Sequence, residues 1–248
     1  MMIKYKLLIE YDGTDYCGWQ RQSQPNSIQG IIEHAIKKFC GNIVTVQGAG
    51  RTDSGVHASG QVAHVNLERE YDIKRIEQAI NFYLKDEKIS ILKVTKVDKD
   101  FDARFSALKR YYRYKIINRN SPLTYDLNKY CHVVTPLNLE IMEQAVKSFI
   151  GQHDFTTFRS SNCQSPSPVK NIDKIIVKKN CDEIYIDFVA KSFLQTQVRS
   201  MMGCIIKVGA GSWNSYKISE LINAKDRSQC AKLAPPCGLY LTRVDYLE

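Results

Sequence analysis

Gly48-Ala49-Gly50-Arg51-Thr52-Asp53-Ser54-Gly55-Val56-His57 holds the residue types best suited to chemistry in this chain. It lies between two apolar runs, Ile43-Val44-Thr45-Val46 and Gln61-Val62-Ala63-His64-Val65, and so reads as a loop presenting a carboxylate at a strand end. Alone, Asp53 is a turn former, because Asp bonds its own following backbone and Gly supplies positive φ. Two features argue for more. Arg51, two residues earlier, would favour the ionised carboxylate. Gly48, Gly50, Gly55 and Gly60 leave backbone that another group can approach closely. Gly48-x-Gly50 also opens like a dinucleotide fingerprint, but Asp53 occupies the third glycine position, where a carboxylate would repel a pyrophosphate. No Gly-Lys-Ser/Thr phosphate loop occurs.

Two further segments carry chemistry. Lys109-Arg110-Tyr111-Tyr112-Arg113-Tyr114-Lys115 alternates as a strand does, with Arg110, Tyr112 and Tyr114 on one face and a basic set on the other. The first face suits stacking of a splayed-out base. A sheet edge made of good strand formers and protective lysines explains the same pattern equally well. Phe193 to Gly203 reads as an amphipathic helix whose Leu194, Val198, Met201, Met202 and Ile205 form core. Arg199 sits beside that face and is expected to reach a buried anion or a cleft; Asp53 is one such anion.

The elements that must position these residues follow from caps and periodicity. Ile3 to Tyr11 reads as a strand stopped by Asp12-Gly13, and Ser27 caps a helix that Gly41 ends. A second helix starts after Asp72, and strands are expected at 43–49, 61–67 and 89–97. The order strand–helix–strand–strand–helix–strand is that of the split βαβ, ferredoxin-like arrangement. The second half repeats the theme, with strands near 110–118, 129–134, 172–179, 183–190 and 238–246 and helices near 138–150, 194–209 and 218–225. The expectation is an α+β protein of two domains, 1–104 and 105–248, with a ligand cleft between paired sheets. Arg159 to Val169, rich in Ser and Pro, is expected to be an ordered surface excursion.

Lys and Arg exceed Asp and Glu by 35 − 26 = 9, which favours a polyanionic partner such as nucleic acid. The eight cysteines show no paired spacing for zinc or for a disulfide framework, so reduced thiols and a cytoplasmic location are expected. The five histidines form no metal-ligand spacing either; His57 and His64 read as structural or substrate-contacting residues. Neither a membrane span nor a signal peptide is expected.

Together the segments resemble tRNA pseudouridine synthases of the TruA family. The matching residues are Tyr11-Asp12-Gly13-Thr14, Gly18-Trp19-Gln20-Arg21-Gln22, Gly50-Arg51-Thr52-Asp53-Ser54-Gly55-Val56-His57 and Gly60-Gln61-Val62. Phe101-Asp102-Ala103-Arg104-Phe105-Ser106-Ala107, Arg110 to Tyr114, Asp154 to Arg159, Val198-Arg199 and Gly238 to Leu241 follow in family order. The resemblance implies a cofactor-free, metal-free isomerase that converts uridine to pseudouridine in the anticodon arm of tRNA, at tRNA positions 38, 39 and 40. It implies two ferredoxin-like-derived α+β domains forming a continuous, mainly antiparallel sheet, with helices on the outer face and a central RNA-binding cleft, in a homodimer. It makes Asp53 the catalytic aspartate, Tyr112 the active-site tyrosine and Arg199 the basic residue paired with Asp53. Substrate contacts are expected from Arg51, Trp19, Gln20, Arg21, His57, Gln61, Arg104, Arg110 and Arg159. Gln197 and Tyr111 depart from residues common in relatives. A non-catalytic RNA chaperone with the same basic, aromatic surface is the alternative from another class.

Overall fold

The computed structural model describes residues 2–22 and 26–247. The protein is α+β, and its chain divides into two compact units, Met1–Leu108 with Tyr240–Glu248, and Lys109–Leu239.

The first unit is built on strands β1 (Ile3–Tyr11), β2 (Gln47–Gly48), β3 (His57–Leu67) and β4 (Ile89–Val97), with helices α1 (Ile28–Cys40) and α2 (Ile73–Tyr83). β1 pairs antiparallel with both β3 and β4, and β2 lies antiparallel on the far side of β3 at Ala63 and His64. That is the connectivity of the expected split βαβ arrangement. α1 begins where the Ser27 side chain accepts the Gly30 N–H, and it ends at Gly41, whose φ of 81° costs glycine nothing. Ile28, Ile32, Ala35 and Ile36 are fully or almost fully buried along one stripe of the helix. α2 is capped in the same way by Asp72, which accepts from the Arg75 N–H.

One expected strand is much shorter than its apolar run. Of residues 43–49 only Gln47–Gly48 form a strand, extended by one bond from the Ala49 N–H to the Val62 carbonyl; upstream the Val46 N–H donates to the carboxylate of Glu33 on α1 (3.0 Å) rather than to a sheet neighbour. Glu33 is buried, and it also receives Gln29 and Arg21, so the charge inside the unit is compensated. Ile43 is left largely exposed.

The second unit contains β5 (Lys109–Asn118), β6 (Cys131–Val133), α3 (Leu139–Lys147), β7 (Gly151–Asp154), β8 (Val169–Asn180), β9 (Glu183–Ala190), α4 (Gln197–Gly209) and α5 (Lys217–Ala224). β9 pairs antiparallel with β5 and β8, β7 closes on β8, and β6 adds to β5 in parallel. β7 was not expected from sequence: four residues are too few to show a period. Arg110, Tyr112 and Tyr114 are buried on one face of β5, as alternation predicted. Tyr114 is core, fully buried with its hydroxyl donating to the Pro235 carbonyl, and burial pushes its phenol well above the ordinary range.

The last strand, β10 (Leu239–Asp245), returns to the first unit's sheet. Its Tyr240 and Leu241 lie parallel to His57 and Ala58 at the start of β3. Gly60 permits this: a Cβ there would stand 2.2 Å from the Thr242 carbonyl oxygen.

Candidate active site

In the first unit, Asp53 stands in the loop between β2 and β3, half-buried, with exposed Arg51 and Ser54 close by in the chain. Its backbone is fixed by one neighbouring segment, residues 11–19. The Thr52 carbonyl accepts the Trp19 N–H (3.0 Å), and the Thr52 and Tyr11 hydroxyls share a buried hydrogen bond of 2.8 Å. Ser54 Oγ donates to the Tyr16 carbonyl, and the Val56 N–H closes the turn onto the Asp53 carbonyl. Gly18, at φ 99°, approaches so closely that a Cβ would lie 2.6 Å from the Thr52 oxygen. Gly13 meets the Val56 carbonyl in the same manner. Asp53 is therefore held as part of a built turn.

Residues 11–19 are themselves tied down. Tyr16 donates to Glu87 and accepts the Lys88 N–H, and burial, reinforced by Glu87, pushes its phenol up to about 12. The Gly18 and Trp19 carbonyls receive the Ile28 and Gln29 N–H groups at the start of α1. Sequence reasoning saw Tyr11-Asp12-Gly13 as a strand stop and a family motif. Its mechanical tie to the Asp53 loop, made across some forty residues of chain, leaves no local signal.

Several expected substrate-contacting residues are buried in this unit. Trp19 is 3% exposed and packs against Gly48, with its ring 6.1 Å from that of Tyr11. His57 accepts the Gly13 N–H at Nδ1 and stacks on Tyr240 at 4.5 Å. Gln61, fully buried, donates to the Gly50 carbonyl. These three hold the two ends of the loop. Gln20 is half-exposed, Arg21 pairs with Glu33, and Arg104 is exposed with its guanidinium 5.3 Å from the Phe105 ring.

In the second unit, Tyr112 is 8% exposed and meets Phe193 edge to face, centroids 5.2 Å apart. Arg110 on the same face of β5 donates to the Lys191 carbonyl, and half-exposed Arg159 follows the short turn Thr156–Phe158. The helix expected from Phe193 begins only at Gln197. Thr196, a β-branched residue, takes the left-handed conformation at φ 61°, so the chain swings into α4 through a strained corner. Arg199 is in the first turn of α4. Its Nε donates to the Ala234 carbonyl, and its own carbonyl accepts the Ala234 N–H, which fixes both ends of the residue. Half-buried Asp53 on a fixed backbone can serve as a nucleophile or as a stabiliser of positive charge. Arg199 can supply a positioned cation, and a buried phenol such as Tyr112 can relay a proton.

All eight cysteines are free thiols. Among the described residues no helix is long and apolar enough to cross a membrane.

A profile of the family described as tRNA pseudouridine synthase matches residues 7–106 and 145–247. The tRNA pseudouridine synthase A of Bartonella tribocorum is 46% identical over 247 residues, covering 99% of this chain and 100% of the relative. That of Brucella ovis is 47% identical over 247 residues, covering 99% and 98%. Among solved structures, a Cbf5-Nop10-Gar1 complex aligns with 82% of this chain and 45% of its own at 13% identity, with a TM-score of 0.35.

Proposed function

Since the chain belongs to the tRNA pseudouridine synthase family and is an isomerase acting on tRNA, we propose that its targets are uridines of the anticodon arm, at tRNA positions 38, 39 and 40. The reaction breaks the N1–C1′ glycosidic bond, joins C1′ to C5, removes the C5 proton and returns a proton to N1. No atom is gained or lost, so an acid–base set with one reactive carboxylate suffices.

Asp53 is that carboxylate in our reading, acting on the sugar or the base. The observation that carries it is the turn around Asp53, fixed at Thr52, Ser54 and Val56, a precision that an ordinary surface turn does not need. Tyr112 takes the role of proton relay at C5, directly or through water, and Arg199 supplies the positive charge. The target uridine must leave its stack, at a cost of a few kcal/mol that aromatic stacking and phosphate contacts offset. Arg51, Arg104 and Arg159, with Arg21, Gln20 and Arg110, are proposed RNA contacts, and the net charge of +9 supports a salt-sensitive hold on phosphates. Trp19, His57 and Gln61 serve the substrate from below, through the loop. A cytoplasmic homodimer without cofactor completes the proposal.

Release of tritium from C5-labelled uridine in tRNA, with carbodiimide mapping of the product, tests the reading. Label at the anticodon arm supports it. Pseudouridine formed only elsewhere in the tRNA would remove the proposed target.

A further inference from the structure

The turn that carries Asp53 has several anchors, and among those described above one joins a side chain of the turn to a side chain outside it. Tyr11, at the end of β1, and Thr52, directly before Asp53, share a hydrogen bond of 2.8 Å between hydroxyls. Both residues are buried, at 4% and 7% exposure. Tyr11 closes β1 between two partners, Ala58 of β3 and Ile89 of β4, just past a bulge in the pairing with β3, so its backbone is held from both sides. The other anchors of the turn run to backbone atoms or depend on close glycine contacts, and substitution of a side chain leaves most of them in place.

We infer that Tyr11 is a positioning residue for the reaction: through Thr52 Oγ1 it fixes the rotamer and backbone of Thr52, and so the direction in which the Asp53 carboxylate points. This rests on the reading of Asp53 as the catalytic carboxylate. The Thr52 carbonyl is already held by the Trp19 N–H and the Asp53 carbonyl by the Val56 N–H, so the hydroxyl bond adds a hold on the Thr52 side chain itself. Without it the loop stays attached, but the carboxylate loses its single orientation. A displacement of about 1 Å in a reacting group can cost up to about a hundredfold in rate.

The experiment compares Tyr11→Phe, Thr52→Val, Thr52→Ser, the double variant Tyr11→Phe/Thr52→Val and Asp53→Asn in tritium release from C5-labelled tRNA, with melting followed in parallel. Tyr11→Phe and Thr52→Val are each expected to lower kcat about tenfold or more with KM within about twofold, as loss of orientation predicts. The double variant should be no worse than either single one, because both remove the same bond. Thr52→Ser, which keeps the hydroxyl, should recover most of the kcat lost in Thr52→Val. If Asp53→Asn is inactive while Tyr11→Phe and Thr52→Val keep the original kcat, the positioning role is wrong and the catalytic assignment stands. If Asp53→Asn turns over normally, the catalytic assignment falls and the positioning role falls with it. Early melting with additive losses in the double variant would make the bond merely structural and overturn the inference.

Discussion

Gly48 lies against the indole of Trp19: a Cβ added to Gly48 would come 2.6 Å from Cε2 and Nε1 of the ring. The ring is almost fully buried, and the same residue's N–H holds the Thr52 carbonyl. Pressure on the ring is therefore pressure on the Asp53 turn. Gly48→Ala is expected to destabilise the protein by about 1–3 kcal/mol, the usual range for overpacking, and to lower kcat besides. Urea denaturation and tritium release measure the two effects. A variant of unchanged stability and rate would show that the ring moves aside freely.

Asp53→Asn keeps the size of the side chain and removes its charge. The variant should fold, bind tRNA in a filter assay and release no tritium from C5-labelled uridine. Normal turnover would end the assignment of Asp53.

Arg199 is held to Ala234 through Nε and through its own carbonyl. Arg199→Ala removes only the first of these, worth about 1.5–3 kcal/mol for a bond from a charged donor, so melting should drop but the fold should persist. Activity should fall by about a hundredfold or more, the scale of losing a positioned charge at a reacting centre. An Arg199→Ala enzyme that melts early but turns over normally when folded would make this a structural residue.

His64 links stability to pH. It is buried on β3, its Nδ1 accepts the Ala103 N–H, and burial lowers its pKa below the ordinary 6.5. The unfolded chain therefore takes up a proton at higher pH than the folded one. This contribution to stability is complete above about 6.5 and is lost as pH falls through the lower folded value. Melting temperatures recorded from pH 8 down to 5 should decline below about 6.5. His64→Asn, which keeps an acceptor but does not titrate, should flatten that part of the curve.

Much of the proposed chemistry could be read from residue types in order. Asp53 among its glycines, the alternation around Tyr112 and the capped α1 are local patterns, and the structure has them where local rules put them. What could not be read depends on partners distant in sequence. The strand over 43–49 shrinks where Glu33 takes the Val46 N–H, and a carboxylate on a helix does not announce that use. α4 starts late because Thr196 turns left-handed, against its own β-branched preference. Trp19, His57 and Gln61 belong to the family motif, yet their side chains are buried around the loop, a distinction that only burial can make.

The two-residue pairing of β10 with β3 has a consequence for synthesis. On the ribosome, residues 1–108 emerge first, but Tyr240, whose ring covers His57 beside the Asp53 turn, emerges only after the whole of 109–239. The sheet that bears the turn stays open along one end of β3 while the other unit is made, an unpaired edge of the kind that exposes nascent chains to misassembly. The start of β3 is then among the last parts of the sheet to be covered, so a ribosome-bound chain arrested before Tyr240 should be cut by protease at residues 57–60 while the Asp53 turn is already held by residues 11–19.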